Sequence, residues 1–327
     1  VAVAFAALIL RCALLLLCLH HAAAALTFPV SGVAMQEGDI LLAYSPTALS
    51  AAIARYAEPQ GDYSHTALFH VSPLDGPRIV EMGSRGLESV DPAKFFKQFH
   101  RMALVRLARK FDEAALSQSV EQLFAEARAG RVAFDFKMAW STDADGHYLC
   151  NEMVTIAYLR AGLPDPFPAA SRRDDSFWAG WVKQNTSFSL NRIVSPNALL
   201  QQPGFKVLAE IERDGNWPGR EVVLDAALDR MRLYIEKQGL EPAGPGPGSR
   251  LLISIGRSGL FEDKLAVLLS RLDVNIYYFM TEYMERIDSR VRQIRRRSAG
   301  EVWSDERLRE LTYAVCDAYR ERFFRKR

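Results

Sequence analysis

Four short runs of apolar, β-branched and aromatic residues crowd the front half of this chain: Asp39–Ala43 within "EGDILLAY", then "SHTALFHV", "RIVEMG" and "RMALVRLA". Runs of this length read as strands, because a pleated surface accommodates branched and aromatic side chains. Gly38 introduces the first, and the turn-forming "SPLDGP" puts the second and third on neighbouring strands. Helical patterns accompany them without regular alternation. "SPTALSAAIARYA" begins with a Ser45 cap and Pro46 at the first helical position, and "DEAALSQSVEQLFAEARAG" ends at Gly130. "YLCNEMVTIAYLRAGL" presents Val154, Tyr158 and Leu159 as an inward stripe and stops at Gly162. Strands and helices that do not follow a βαβ order predict an α+β domain.

That pattern closes around residue 210, after "VSPNALLQQPGFKVLAEI". The sequence therefore divides into a segment 1–25, a domain over 36–210 and a mainly helical region over 211–327. "GLEPAGPGPGS", residues 239–249, holds too much Gly and Pro for a helix or central strand and reads as a linker or long loop. From Phe261 to Lys326 the spacing predicts two or three long amphipathic helices, and no internal repeat is visible.

The first 25 residues are apolar apart from Arg11 and two histidines. Arg11, the run Cys12–Leu19 and the small residues Ala22–Ala25 follow the charged, apolar and small-residue order of a secretory signal, with Ala23-x-Ala25 as the cleavage site. The expectation is export to a periplasmic or extracellular location; the alternative is a retained membrane anchor, which Arg11 opposes. Leu17 before Cys18 speaks against a lipoprotein. A formal charge of +2 carries no basic excess that would point to nucleic acid. After cleavage Cys150 and Cys316 remain, in segments read as different domains, so a disulfide between them is not expected.

A free thiol at the start of a helix has a chemical use. The helix N-terminus favours a thiolate, and its unpaired N–H groups can hold a developing oxyanion. The plainer alternative for Cys150 is a small buried apolar residue. A nucleophilic thiol also needs a base, and the chain after residue 25 offers His65, His70, His100 and His147. Alternation groups His65 with Ala67 and Phe69 and turns His70 to the other face, while His147 sits on the entry loop three residues before Cys150. Glu81 interrupts the next apolar strand, either as an outward surface charge or as a partner to His65. A zinc site from Cys150, His147, Asp143 and Asp145 matches no closed structural spacing.

Taken in order, "GDILL", "SHTALFHV", "IVEMG" with "GLESV" just after, "FDFKMAW", "YLCNEMV" and "VSPNALLQQPGF" resemble the YiiX/YebB-like proteins. These are circularly permuted members of the papain-like NlpC/P60 superfamily, related to lecithin:retinol acyltransferase, in which the histidine strand precedes the cysteine helix. The resemblance covers about residues 36–207 and not the C-terminal third. It implies a permuted papain-like fold, an antiparallel sheet with packed helices, followed here by a C-terminal helical region. It also implies Cys150 as nucleophile, His65 as base and Glu81 as the third polar residue, with no metal or other cofactor. Asn151 stands where the family commonly has serine, and Ala67 where it often has glycine; both bear on the shape of the pocket.

The implied activity is that of an exported cysteine hydrolase acting through a thioacyl-enzyme on a peptide or other acyl-containing substrate, with cell-wall peptides the first expectation. The alternatives are a lipid-directed acyl hydrolase or acyltransferase, and a non-catalytic binding module. The basic stretches "RVRQIRRR", Arg290–Arg297, and "RERFFRKR" are either solvated helix faces or a surface for contact with an anionic membrane.

Overall fold

A computed structural model of the chain describes residues 26–44, 54, 61–83, 85–99, 101–135, 146–167, 194–212, 219–243, 271–298, 301 and 303–326. The N-terminal segment 1–25, the helix expected from Ser45 (apart from Ala54), His100, Asp143, Asp145 and residues 244–249 of the Gly/Pro-rich stretch lie outside them. The centre is a six-stranded sheet in the order β4-β3-β2-β1-β5-β8. Its strands are β1 (Ile40–Tyr44), β2 (His65–Ser72), β3 (Gly76–Gly83), β4 (Gly86–Val90), β5 (Arg101–Leu107) and β8 (Phe205–Glu212), each antiparallel to its neighbours.

Period-two alternation gives this sheet two apolar faces. Ile40, Leu42, Leu68, Val80, Met82 and Val105 share one core with helices α2 (Glu113–Arg128) and α3 (Cys150–Arg160). Leu41, Ala67, Phe69, Ile79 and Leu104 share the other with Phe28 and with Phe95 and Phe96 of the short helix α1 (Pro92–Gln98). Both faces being covered, every residue of β1 is buried. The Tyr158 hydroxyl donates to Gly38 O at 2.5 Å, fastening α3 to the entrance of β1. Gly38 has φ +83°, and a Cβ there would come within 2.6 Å of Leu116, so only glycine fits this turn.

Three details depart from the sequence reading. Leu159 is 41% exposed rather than inward, because five residues beyond Val154 carry it about 140° around the helix. Strand β8 was not anticipated; it is a largely exposed edge strand and so lacks the apolar alternation that marks a strand. The region read as linker from residue 239 contains β9 (Leu240–Pro242), which pairs with β10 (Phe324–Lys326) at the chain's end. A further short pair, β6 (Ala133–Phe134) and β7 (His147–Tyr148), is parallel and leads into α3.

Three helices of the described C-terminal residues, α4 (Arg220–Gln238), α5 (Arg271–Arg297) and α6 (Asp305–Phe323), enclose their own apolar cluster around Met231, Tyr234, Phe279, Tyr283, Ile287 and Cys316. Arg101, at the start of β5, ties this unit to the sheet. Its guanidinium reaches Asp62 at 2.9 Å and both Glu212 and Glu221 at 3.0 Å, and it lies over the Tyr44 ring. Among the described residues no helix is long and apolar enough to cross a membrane.

Candidate active site

The site forms at the end of the sheet where β2 begins. Pairing of β2 with β3 starts at Ala67↔Glu81, so His65 and Thr66 project beyond it while still pairing with Ala43 and Leu42 of β1. His65 and Glu81 share a face, and the ring Nε2–H donates to Glu81 Oε2 at 2.8 Å. Ala67, fully buried and opposite Glu81, keeps bulk out of the space between them. Phe99, just past α1, stacks on the imidazole with centroids 5.5 Å apart and planes 12° from parallel. The ring is thereby fixed in plane and in rotation.

Cys150 is the first residue of α3, and Leu149 before it donates its N–H to Glu152 Oε2 at 2.7 Å. The helix start is held by the buried Glu152 carboxylate, and the Cys150 thiol sits beside the first-turn N–H groups, whose positive potential that carboxylate partly offsets. With Nε2 engaged by Glu81, the other side of the His65 ring is left for the Cys150 sulfur, and the two groups are electrostatically coupled. Burial disfavours the charged forms of both groups, yet their partners outweigh it. The imidazole is raised to about 10 by its hydrogen bonds to Cys150 and Glu81 and by their charges. The thiol is lowered by the hydrogen bond and charge of His65, with help from the hydroxyl and backbone amide of Thr66. The arrangement favours a thiolate facing an imidazolium.

A segment far away in sequence braces both halves. The Asn151 amide, next to the cysteine, donates to Val194 O. Asn197, on the 3-10 turn Pro196–Gln201, accepts from Tyr63 N at 3.0 Å and donates to Tyr63 O at 2.9 Å and to Ser195 Oγ at 2.8 Å. Val194–Asn197 therefore links the cysteine helix to the approach to His65. Sequence reasoning did not single out Ser195, Asn197 or Thr66; only the Ser-Pro start of a helical turn in "VSPNALL" hinted at the first two.

Two other histidines, His70 and His147, are among the described residues. His70 is fully buried, with Nδ1 2.9 Å from Glu37 and Nε2 3.1 Å from Glu121; burial opposes its charge, but the two carboxylates raise its pKa. His147 is exposed on β7. Among the described residues no group of three or more His, Cys, Asp or Glu side chains is placed to hold a metal ion. Cys150 and Cys316 are both unpaired.

A thiol coupled to an imidazole whose far nitrogen rests on a carboxylate has the parts that acyl transfer through sulfur requires. A crystal structure of the metalloprotein YiiX from Escherichia coli O157:H7 is similar to this chain, with 20% identity and a TM-score of 0.44, covering 54% of this chain and 98% of that one. No curated protein matches. The family described as permuted papain-like amidase enzymes, YaeF/YiiX, C92, matches residues 34–208, more than half of the chain. This chain, with its histidine strand ahead of its cysteine helix, belongs to that family of permuted papain-like amidases.

Proposed function

We propose that this protein is an exported cysteine amidase that cleaves peptide-type amide bonds through a thioacyl-enzyme on Cys150. The observation that carries the reading is the ordered row of Cys150, His65 and Glu81, in which each group engages the next. In the resting state the thiol proton resides on His65. The thiolate attacks the amide carbonyl carbon, and the resulting oxyanion faces the backbone N–H of Cys150 at the helix start. The C–N bond breaks as His65 gives its proton to the leaving nitrogen. Water then attacks the thioester, His65 takes its proton, and the C–S bond breaks to release the acid product and restore the thiolate–imidazolium pair. Glu81 holds the ring in the required orientation and balances its charge without itself exchanging a proton.

An amide-based electrophilic peptide probe tests the reading. It should label Cys150 in the wild type and fail to label Cys150→Ala, with the adduct located by peptide mass mapping. Labelling only at Cys316 would remove the assignment. Export rests on the order of Arg11, the apolar run and Ala23-x-Ala25, and a mature N-terminus near residue 26 is expected on sequencing protein secreted by the native host.

One observation favours a lipid-directed variant of the same chemistry. Arg292, Arg296 and Arg297 line one face at the end of α5 together with Ser289 and Gln293, and both Arg296 and Arg297 are exposed. Such a face suits an anionic headgroup layer. Product analysis decides between the two: released peptides from cell-wall fragments support the amidase, and released fatty acid from anionic vesicles supports the variant.

A further inference from the structure

Resting on Cys150 as the nucleophile, we propose that the Thr66 hydroxyl is a third group on the reacting sulfur, donating a hydrogen bond that is fully made only when the sulfur is a thiolate. Thr66 follows His65 in β2 and shares the face of Leu68, the face covered by α3. It is fully buried, and among the described residues its Oγ1 has no hydrogen-bond partner of ordinary geometry. Its cross-strand neighbour in β1 is the apolar Leu42. A buried hydroxyl without a partner is unfavourable and calls for an explanation at the place where it occurs. The helix that covers this face begins at Cys150, and both the hydroxyl and the backbone amide of Thr66 favour that thiol's charged form.

The state of that sulfur decides what the hydroxyl can do. A neutral thiol is a weak acceptor, whereas a thiolate is a charged one, and hydrogen bonds to charged acceptors are roughly twice as strong as neutral ones. The thiol proton goes to His65, and the Thr66 hydroxyl keeps its own. A group satisfied in one protonation state and idle in the other shifts the balance toward the first. Among the described residues, titratable groups on the elements that form this site include His65 on β2, Glu81 on β3 behind the ring, and Glu152 on α3, whose carboxylate is taken by the Leu149 amide.

The test is the pH dependence of Cys150 alkylation by iodoacetamide, read by mass mapping of the Cys150 peptide in the full-length protein. Wild type, Thr66→Val, Thr66→Ser and Thr66→Ala are compared, with thermal melts for each. Valine keeps the branched shape and loses only the hydroxyl. The expected result is that the acid limb of Thr66→Val moves to higher pH by about tenfold in proton concentration. Thr66→Ser should restore the wild-type limb, and the melting temperature of Thr66→Val should not fall. If the valine protein does not fold, Thr66→Ala is read in its place. A valine or alanine limb that coincides with that of the wild type overturns the proposal while leaving Cys150 as the nucleophile. A wild-type limb already in the ordinary thiol range overturns both.

Discussion

Cys150 and Cys316 are both thiols on helices, and both suffer burial that pushes a thiol up, yet their environments drive them in opposite directions. At Cys150 the His65 imidazole and Thr66 overturn the burial effect and lower the pKa. At Cys316, inside α6 and fully enclosed by the C-terminal cluster, burial prevails and the thiol is pushed up to about 12; Asp317 adds to the rise, and the Tyr283 hydroxyl opposes it only in part. The lesson is that helix membership and burial do not make a nucleophile. A thiol at the helix start facing a positive partner does, and Cys150 has that placement with His65.

Removing each thiol gives the largest contrast. Cys150→Ala is expected to lower single-turnover acylation by at least about a thousandfold, since the covalent route is lost. His65→Ala should approach the same loss, measured with the same substrate and with circular dichroism to confirm folding. The two thiols should also separate in pH. The Cys150–His65 pair stays in its charged form from the lowered thiol pKa up to the imidazole's value of about 10. Acylation should therefore fall below the first limit, as the thiolate takes up a proton. It should fall again as pH rises through about 10, as the ring loses the proton owed to the leaving group. A profile that rises without a break to pH 11 would remove His65 as the acid. Cys316 should resist alkylation throughout this range in the folded protein.

How much of this contrast was legible beforehand depends on the range of the interactions involved. Alternation along "SHTALFHV" and "RIVEMG" is local, and it suffices to separate His65 from His70 and to turn Glu81 away from Val80 and Met82; the observed 2.8 Å contact follows from those two faces. The helix start at Cys150 is likewise a local signal. Thr66 reads as any β-branched strand residue until α3 lies over it. Asn197 meets Tyr63 across a separation of 134 residues, which no periodicity encodes. The edge strand β8 is polar on much of its surface because it has solvent beside it, so its sequence resembles a loop. The order of the family's motifs supplied the permuted fold, which pattern alone left as an unspecified α+β domain.

The parts that support the charged pair should matter less than the pair itself, and by graded amounts. Glu81→Ala removes the ring's hydrogen-bond partner and its counter-charge, and acylation is expected to fall about a hundredfold. Glu81→Gln retains a hydrogen-bond acceptor without the charge and should lose about tenfold. Equal, wild-type rates in both would make Glu81 a bystander. Asn197→Ala strips three hydrogen bonds from the turn that joins Tyr63 to Ser195. Leaving buried backbone groups unpaired costs about 1–3 kcal/mol, so its melting temperature should drop. Its acylation rate should also fall about tenfold at a temperature where it remains folded, as the His65 approach loosens. A fall in stability with an unchanged rate would limit Asn197 to the fold.

The smallest effect is expected at the other thiol, and it is the one that guards the comparison. Cys316→Ala deletes a single buried sulfur from the cluster of Tyr234, Phe279, Tyr283 and Phe323. The void is about the size of a methyl group, so the cost should be about 1 kcal/mol. For a unit of this size that lowers the melting temperature by roughly 2–4 °C. Among the described residues the sulfur packs in the C-terminal cluster and not in the sheet domain's cores, and the Arg101 contacts to Glu212 and Glu221 that tie the two parts together remain in place. Acylation should therefore stay within about twofold of wild type when measured well below the melting transition, because effects at distant, unconnected positions combine independently. The double variant Cys316→Ala with Glu81→Gln should show the loss of Glu81→Gln alone. A larger joint loss in folded protein would mean that the helical unit communicates with the Cys150–His65 pair, and the two thiols would then belong to one coupled system.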